Sequence, residues 1–308
     1  MTGDNFIRPA RLHAGSRIAL IAPAGPVTED RIATSVARCA SLGLDPVIGV
    51  NSHLRAGYLA GSDVERARDV MWAFTDPDID AVWALRGGYG SMRLHAHLDF
   101  DVIAAARKPY IGFSDSTYIH LMLAARNVVS YHGPHPGADF PPETEAAFLH
   151  VLFGDEAPGV LPVRPQDTQP RTLRSGFARG RLMGGNLSLL AASCGTHAQL
   201  NARDCIVFIE EVGEPAYRVD RCLTQLVMAG ALDGVRGFAF GRFSEIPDDG
   251  TEEEVVEVLY DVADSFGVPA VVNFPIGHIE HNWTVPMGAS ASLDADQCVL
   301  DLFEPAVS

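Results

Sequence analysis

The first 85 residues of the chain alternate short apolar runs with amphipathic runs, and this alternation restricts the fold more than any other feature. The runs Arg17–Pro23, Pro46–Val50 and Ile79–Leu85 predict strands, and the first is typical of a strand buried on both faces. Helical spacing predicts helices over Glu29–Leu42 and Asp63–Phe74. Strands that alternate with helices favour a parallel α/β sheet. Ligands of such sheets bind at the carboxyl ends of the strands, so the residues after each strand are candidates for function.

A serine follows the next predicted strand, where the pattern changes from strand to helix. Tyr110–Ile111 predicts the end of a buried strand, and Tyr118–Ala125 predicts a helix with an apolar face. Ser114 therefore lies on a sharp turn that exposes a hydroxyl and directs helix amides at the space beside it. This geometry suits a nucleophile, because its attack creates an oxyanion that needs N–H donors. The alternative is that Ser114 or Asp115 only caps the helix.

The glycine-rich segment Arg86–Gly90 follows the strand before that one. It is not a dinucleotide fingerprint, because position 93 is Arg93 instead of glycine and no acidic residue follows at the expected distance. No Gly-Lys-Ser/Thr follows, so a phosphate loop is excluded as well. We interpret Gly87 and Gly88 as positions where the backbone approaches a ligand and presents an N–H, and the alternative is an ordinary turn.

Composition and charge exclude several classes of partner. The 39 acidic residues exceed the 23 basic ones, and the formal charge of −16 argues against nucleic acid and anionic membranes. The segment Met1–Asn5 lacks the features of a signal peptide, and no apolar run is long enough to cross a membrane. The five cysteines are odd in number and widely spaced, which is typical of reduced thiols. We therefore expect a cytoplasmic protein.

The α/β pattern continues in the second half of the chain after a break. The stretch from Gly154 to Arg179 has little periodicity, as in a linker or a run of edge strands. With 308 residues the chain is long enough for two domains, and we predict a first domain over 1–165 and a second over 166–308. The main elements predicted in the second domain are strands over Cys205–Ile209, Gly237–Gly241, Pro269–Phe274, Trp283–Met287 and Ser290–Leu302 and helices over Tyr217–Ala229 and Glu252–Phe266.

Two histidines, His132 and His135, follow the predicted strand Val128–Tyr131. Histidines three residues apart can bind a metal ion. The neighbouring prolines and the absence of a close carboxylate favour a loop without metal. We therefore predict neither a metal site nor a cofactor from this segment.

Three polar side chains stand at the ends of apolar segments: Ser114, Glu210 and His278. Together they supply what acyl transfer requires, since a nucleophilic hydroxyl needs a base and the base needs a carboxylate that fixes its tautomer. The chain order Ser, Glu, His is one that hydrolases use. Each residue alone has an ordinary explanation as a cap or a loop residue, and sequence does not show whether the three meet.

With these motifs in view, the chain resembles the serine LD-carboxypeptidases, the muramoyltetrapeptide carboxypeptidases of bacterial murein recycling. The resemblance runs from about Ile18 to Ala289. Its motifs are specific in combination and not one by one. They are Ile21-Ala22-Pro23, Leu85-Arg86-Gly87-Gly88-Tyr89-Gly90, Gly112-Phe113-Ser114-Asp115, Gly184-Gly185-Asn186-Leu187, Phe208-Ile209-Glu210-Glu211-Val212-Gly213-Glu214-Pro215 with Tyr217-Arg218, and Gly277-His278.

The resemblance implies a role for each candidate residue. Ser114 would be the nucleophile, His278 the general base and Glu210 the orienting carboxylate, in preference to Glu211 and Glu214. The backbone N–H groups of Asp115 and Gly88 would stabilise the oxyanion. The resemblance also implies a flavodoxin-like N-terminal parallel-sheet domain, a smaller C-terminal α/β domain, an active site between them, a homodimer, and no metal or organic cofactor. Asn282, where relatives often carry Arg, departs from the pattern.

The activity implied is hydrolysis of the L,D peptide bond that releases terminal D-Ala from a cytoplasmic murein tetrapeptide. Two alternatives stay open at this point. The same architecture resembles microcin C immunity proteins, which cleave an amide that joins a peptide residue to a nucleotide-like group. The other alternative is a binding protein that recognises a D-Ala terminus without cleaving it.

Overall fold

The computed structural model describes residues 6–247 and 250–308. Met1–Asn5, on which the expectation of no signal peptide depends, lies outside the described residues. Within the two described ranges, no helix is both long and apolar enough to span a membrane.

Strands and helices alternate along the described chain. In chain order the strands are β1 (Arg17–Ile21), β2 (Asp45–Ile48), β3 (Ala81–Ala84), β4 (Tyr110–Gly112), β5 (Ser130–His132), β6 (Gly159–Val160), β7 (Arg171–Arg174), β8 (Phe177–Asn186), β9 (Cys205–Val212), β10 (Gly237–Ser244), β11 (Ala270–Val272), β12 (Val285–Met287), β13 (Ser290–Asp294) and β14 (Val299–Leu302). The α-helices are α1 (Glu29–Ser41), α2 (Asp63–Thr75), α3 (Phe100–Ala106), α4 (Thr117–Ala124), α5 (Pro142–Phe153), α6 (Leu187–Ala192), α7 (Ala216–Met228) and α8 (Glu252–Phe266).

The first sheet contains six strands in the order β12-β5-β4-β3-β1-β2. Strands β1 to β5 pair in parallel, which confirms the α/β class expected from the alternation. Ile18, Leu20 and Ile21 of β1, which lies between β3 and β2, are fully buried, and burial of each such side chain contributes roughly 1.5–3 kcal/mol. Because β3 and β4 are neighbours, the residues that follow them meet at one edge of the sheet.

The helices that cover this sheet begin at capping residues. The Thr28 hydroxyl accepts a hydrogen bond from the Arg31 N–H at the start of α1. Ser62 and Glu65 form a reciprocal capping box at the start of α2. Such caps satisfy backbone N–H groups that the helix itself leaves unpaired, and each contributes about 1 kcal/mol.

The second sheet has eight strands, in the order β6-β14-β13-β8-β9-β10-β11-β7. Its centre, β8 to β11, is parallel, and antiparallel strands flank it. The stretch from Gly154 to Arg179 supplies the two edge strands β6 and β7, together with the start of β8. The described residues therefore have the expected class, a parallel-sheet N-terminal part and a second α/β part.

Two strands cross the predicted boundary between 165 and 166. Strand β6 precedes the boundary but pairs with β14 in the second sheet. Strand β12 follows the boundary but pairs antiparallel with β5, and it forms an edge of the first sheet. The division into 1–165 and 166–308 stays a prediction about folding units, and each sheet includes one strand from the other side of that boundary.

Two elements differ from the sequence predictions. The single strand expected over Ser290–Leu302 is a hairpin of β13 and β14, because the Asp294 carboxylate accepts hydrogen bonds from the N–H groups of Asp296 and Gln297 and turns the chain. Strand β9 continues through Val212 instead of ending at Ile209. Glu210 is therefore a residue inside a buried strand.

Candidate active site

Ser114 occupies the turn between β4 and α4 that the sequence predicts. Its φ is +62°, in the left-handed region that residues other than glycine rarely adopt. A short 3-10 turn, Ser114–Ser116, leads directly into α4. Ser116 is the N-cap of α4 and makes no side-chain capping bond, so neither Ser114 nor Asp115 caps this helix. A strained backbone held by the surrounding fold is typical of functional positions, including nucleophiles.

Asp115 ties this turn to the glycine-rich segment. Its carboxylate accepts a hydrogen bond of 2.7 Å from the Ser91 N–H, and the Ser91 hydroxyl donates to the Asp115 carbonyl at 2.6 Å. Burial raises the pKa of Asp115, although hydrogen bonds from Ser91 and from the Gly90 N–H oppose that rise. These bonds fix the position of the nucleophile turn relative to the loop that follows β3.

Gly87 is the glycine that lies against Ser114. A Cβ atom at Gly87 would be 2.8 Å from the Ser114 Cβ, 2.9 Å from its Oγ and 3.3 Å from the Asp115 nitrogen. Gly88, with φ +106°, lies one residue farther along, and a Cβ there would meet Gly25 at 3.3 Å. Gly87 thus closely approaches Ser114, while the expected approach to a ligand and the assignment of the Gly88 N–H as an oxyanion donor stay predictions.

Glu210 and His278 form the pair that the sequence predicts. Nδ1 of His278 lies 2.8 Å from Oε2 of Glu210, so the ring donates its Nδ1 proton to the carboxylate. Glu210 is fully buried in β9, whereas 21% of the His278 side chain is exposed. Gly277 permits the contact, since a Cβ there would be 2.9 Å from Oε2 of Glu210. With Nδ1 protonated, Nε2 is left as the basic nitrogen.

The charge around His278 favours its protonated form. Burial lowers the pKa of His278, but the hydrogen bond and charge of Glu210, with smaller contributions from Glu211 and Glu245, outweigh it and leave that pKa raised. A base of raised pKa accepts a proton more readily.

Phe113 links the two halves of the site. Its ring centroid is 4.8 Å from that of His278, and Phe113 directly precedes Ser114. The structure therefore brings the imidazole to the nucleophile turn. Among the described residues no hydrogen bond joins Ser114 to His278, and catalytic hydrogen bonds often tighten only when substrate binds.

The other two acidic residues of the motif have different partners. Glu211 accepts hydrogen bonds from the Asn186 amide at 2.8 Å and from the Ser188 N–H and hydroxyl at 2.8 and 2.6 Å. Glu214 pairs with Arg218 at 3.1 Å. Because successive side chains of a strand point to opposite faces, only Glu210 of the adjacent pair reaches His278.

The glycines before α6 bring the second sheet to the nucleophile helix. A Cβ at Gly185 would lie 2.5 Å from Cγ2 of Thr117, so only glycine fits this approach. The next residue, Asn186, donates its N–H to the Thr117 hydroxyl at 3.1 Å. The Gly-Gly-Asn motif therefore fixes the position of α4 and of the turn before it.

A cluster of buried imidazoles beside Phe113 was not expected from the sequence. His132 is the last residue of β5 and not part of a loop, and it is fully buried with no hydrogen-bond partner at either ring nitrogen. His135 lies in the loop, 4.5 Å from the Phe113 ring, and burial lowers its pKa to about 3. Within residues 6–247 and 250–308, no group of three or more His, Cys, Asp or Glu residues is arranged to hold a metal ion.

The Glu210–His278 pair beside the turn that bears Ser114 suits a serine hydrolase, and the comparisons with known proteins identify a serine-type carboxypeptidase and give its family. The family model described as the LD-carboxypeptidase N-terminal domain matches residues 18–133, and the model of the LD-carboxypeptidase C-terminal domain matches residues 179–293. The chain belongs to the LD-carboxypeptidase family.

Individual relatives cover almost the whole chain. A candidate carboxypeptidase of Streptomyces coelicolor is 41% identical over 98% of both chains. The crystal structure of muramoyltetrapeptide carboxypeptidase from Oxalobacter formigenes superposes with a TM-score of 0.80 at 30% identity, and covers 93% of this chain and 97% of its own. The structure of MccF, a microcin C7 self immunity protein, in complex with glutamyl sulfamoyl guanosine gives a TM-score of 0.88 at 25% identity. The superposition covers 98% of this chain and 100% of the MccF chain.

Proposed function

We propose that this enzyme hydrolyses the L,D peptide bond that joins terminal D-Ala to a murein tetrapeptide. The single observation that carries the proposal is the 2.8 Å contact between His278 and Glu210, beside the strained turn that bears Ser114. The substrate class comes from family membership and from the muramoyltetrapeptide carboxypeptidase that the chain resembles. Hydrolysis at this bond yields a tripeptide and free D-Ala.

The proposed mechanism proceeds through an acyl-enzyme. The Ser114 oxygen attacks the carbonyl carbon as Nε2 of His278 removes the hydroxyl proton, and the Glu210 carboxylate stabilises the imidazolium. The N–H groups of Asp115 and Gly88 stabilise the oxyanion. The C–N bond then breaks, and His278 returns its proton to the departing amine of D-Ala. Water, deprotonated by His278, attacks the ester and releases Ser114.

The direct test is incubation with murein tetrapeptide and measurement of free D-Ala and tripeptide. Wild-type protein should release both in equal amounts. A fluorophosphonate probe should label wild-type protein on Ser114, and a Ser114→Ala variant should neither take up the label nor turn over substrate. D-Ala release by the Ser114→Ala variant at near wild-type rate would overturn the assignment of the nucleophile.

A second candidate activity is cleavage of the microcin type, which the TM-score of 0.88 to MccF favours. The same triad would then hydrolyse the amide between an amino acid and a nucleotide-like group. Parallel assays of kcat/KM on murein tetrapeptide and on an aminoacyl sulfamoyl adenosine distinguish the two. We expect the tetrapeptide to be the better substrate, and a higher kcat/KM on the nucleotide compound would favour the second activity.

We also propose that the enzyme acts in the cytoplasm as a homodimer. All five cysteines are free thiols, as in proteins of reducing compartments. The dimer follows from the resemblance to the family. Light scattering coupled to size-exclusion chromatography tests it, because a monomer has a mass of 33.0 kDa. A mass near that value at micromolar concentration would contradict the dimer.

A further inference from the structure

Arg31 and Arg86 form a pair of like charges beside the proposed nucleophile. Arg86 directly precedes Gly87, two residues after the end of β3, and Arg31 lies in the first turn of α1. Arg86 donates a hydrogen bond to the carbonyl of Pro26, which lies five residues before Arg31 in the segment that leads into α1. Burial lowers the pKa of Arg31, and the charge of Arg86 lowers that pKa further. Holding two cations together is unfavourable unless an anion joins them.

No anion of the described chain compensates this pair. Neither guanidinium forms an ion pair with a carboxylate of residues 6–247 or 250–308, although the chain has 39 acidic residues. The buried Nε of Arg31 has no hydrogen-bond partner among these residues. Arg86 donates from Nη1 to the Pro26 carbonyl at 3.0 Å, and it is otherwise exposed. In a protein of charge −16, a cationic pair without a carboxylate partner indicates a site for an anionic ligand.

Backbone contacts place Arg86 next to the nucleophile turn. Ideal Cβ atoms at Gly25 and Gly88 would lie 3.5 and 3.9 Å from the Arg86 Nε, so the side chain lies over these two glycines. The intervening residue Gly87 contacts Ser114. The Arg86 side chain therefore lies beside the loop whose Gly87 contacts Ser114.

His135 places Arg31 on the same side of the site. Burial dominates the lowering of the pKa of His135, and the charges of Arg31, His278 and Arg86 add to it. The His135 ring is 4.5 Å from that of Phe113, which is itself 4.8 Å from the ring of His278. A Cβ atom at Gly137, two residues after His135, would lie 2.6 Å from Cγ of Arg31, so the Arg31 side chain packs against the loop that carries His135.

We propose that Arg31 and Arg86 bind the terminal carboxylate of the substrate and thereby restrict cleavage to the last peptide bond. This inference rests on the proposed function. In a carboxypeptidase substrate, the terminal carboxylate is one Cα atom away from the nitrogen of the scissile bond. A cationic site must therefore lie beside the nucleophile, where this pair lies. Guanidinium groups form paired hydrogen bonds with carboxylates and hold them in a fixed orientation.

The test compares murein tetrapeptide with its C-terminal amide, in which the carboxylate charge is absent. The tripeptide product is common to both substrates and is measured by mass spectrometry. Wild-type enzyme should prefer the free acid. Arg31→Gln and Arg86→Gln should each lower kcat/KM for the acid by roughly 10- to 100-fold, the value of a charged hydrogen bond, and leave kcat/KM for the amide within a few-fold. The preference for the acid should then largely disappear.

Matched variants distinguish loss of the carboxylate site from a general loss of positive charge and from misfolding. Arg68→Gln removes the same charge from the exposed face of α2 and should leave the preference unchanged. Arg86→Lys keeps the charge without the paired donors, so it should retain part of the preference for the free acid that Arg86→Gln loses. Fluorophosphonate labelling of Ser114 shows that each variant is folded and reactive.

The outcomes distinguish this inference from the function on which it rests. Wild-type preference for the acid that persists in both Arg→Gln variants would overturn the carboxylate site and leave the carboxypeptidase activity standing. Equal kcat/KM of wild-type enzyme on acid and amide would also overturn it. Failure of wild-type enzyme to release tripeptide from the acid would reject the proposed function, and the inference with it.

Discussion

Nδ1 of His278 lies 2.8 Å from Oε2 of Glu210, although 68 positions separate the two residues in the chain. Glu210 lies in β9 in the middle of the second sheet, and His278 lies in the segment after β11, two strands away. The β9–β10–β11 pairing brings the two segments together, and Gly277 provides the space. The contact fixes the tautomer of His278 and leaves Nε2 as its basic nitrogen.

The backbone at Ser114 is strained, so substitutions there should change both activity and stability. Ser114→Ala removes the hydroxyl and should lower kcat by about four to six powers of ten while the fold is kept. Ser114→Gly is equally inactive, but glycine adopts a φ of +62° without strain. It should therefore be more stable than Ser114→Ala by about 1 kcal/mol in the free energy of unfolding. Turnover assays and urea denaturation measure both quantities, and equal stabilities would show that the turn is unstrained.

The raised pKa of His278 sets the pH dependence of activity. His278 acts as a base only when neutral, so kcat/KM should rise with pH and reach half its maximum above about 6.5, the pKa of an ordinary histidine. Glu210→Gln removes the charge that raises this pKa. The midpoint should then move to lower pH, and kcat should fall by about 10³- to 10⁴-fold. Initial rates between pH 5 and 9 test the shift, and an unchanged midpoint would mean that Glu210 does not control the base.

The same pair makes stability depend on pH. A group whose pKa is raised on folding contributes stability that is complete below its unfolded pKa, about 6.5 for histidine. This contribution is lost as the pH rises through the raised folded-state value. The wild-type protein should therefore unfold at a higher temperature than Glu210→Gln at pH 6, and this difference in thermal midpoint should become smaller between pH 6 and 8. A difference in midpoint that grows with pH would contradict the interpretation.

The contact between Gly87 and Ser114 leaves no space for a methyl group. Gly87→Ala would place a Cβ 2.8 Å from that of Ser114, so the nucleophile must move. A displacement of about 1 Å lowers kcat/KM by about 100-fold. Gly195→Ala is the control, since its Cβ meets nothing within 4 Å and its φ of +77° makes it costly only in stability. Comparable kcat/KM values for the two variants would refute a positioning role for Gly87.

The sequence predicts the local elements of this site better than its contacts. The strand-to-helix turn at Ser114 follows from residues within ten positions of it, and the parallel sheet follows from repeated strand–helix alternation. Strand β9 was expected to end at Ile209, because a charged residue seldom continues a buried strand. Glu210 continues it because His278 supplies a partner that lies 68 positions away. Contacts of that range depend on the pairing of strands, which the local pattern does not specify.

Two further features depend on the path of the chain in space. Local sequence treats Gly87 and Gly88 alike, and only the course of the loop after β3 decides that Gly87 contacts Ser114. Likewise, β12 joins the first sheet because it pairs with β5, which is more than 150 residues earlier. The polar residues at strand ends were a sufficient signal for the contact between Glu210 and His278, and the triad with Ser114 stays a prediction. The burial of His132 had no local signal.

Glu211 offers a comparison with Glu210 that separates folding from catalysis. Its buried carboxylate accepts hydrogen bonds from Asn186, from Ser188 and from the Val212 N–H, and every one of these groups is a donor. Glu211→Gln turns an NH₂ group toward a donor, so it should lower the free energy of unfolding by about 1–3 kcal/mol. Because Glu211 does not contact His278, kcat/KM at 20 °C should stay within a few-fold of wild type, in contrast to Glu210→Gln. Urea denaturation and tetrapeptide assays on the two variants test this contrast, and a large loss of activity in folded Glu211→Gln would place Glu211 in the reaction.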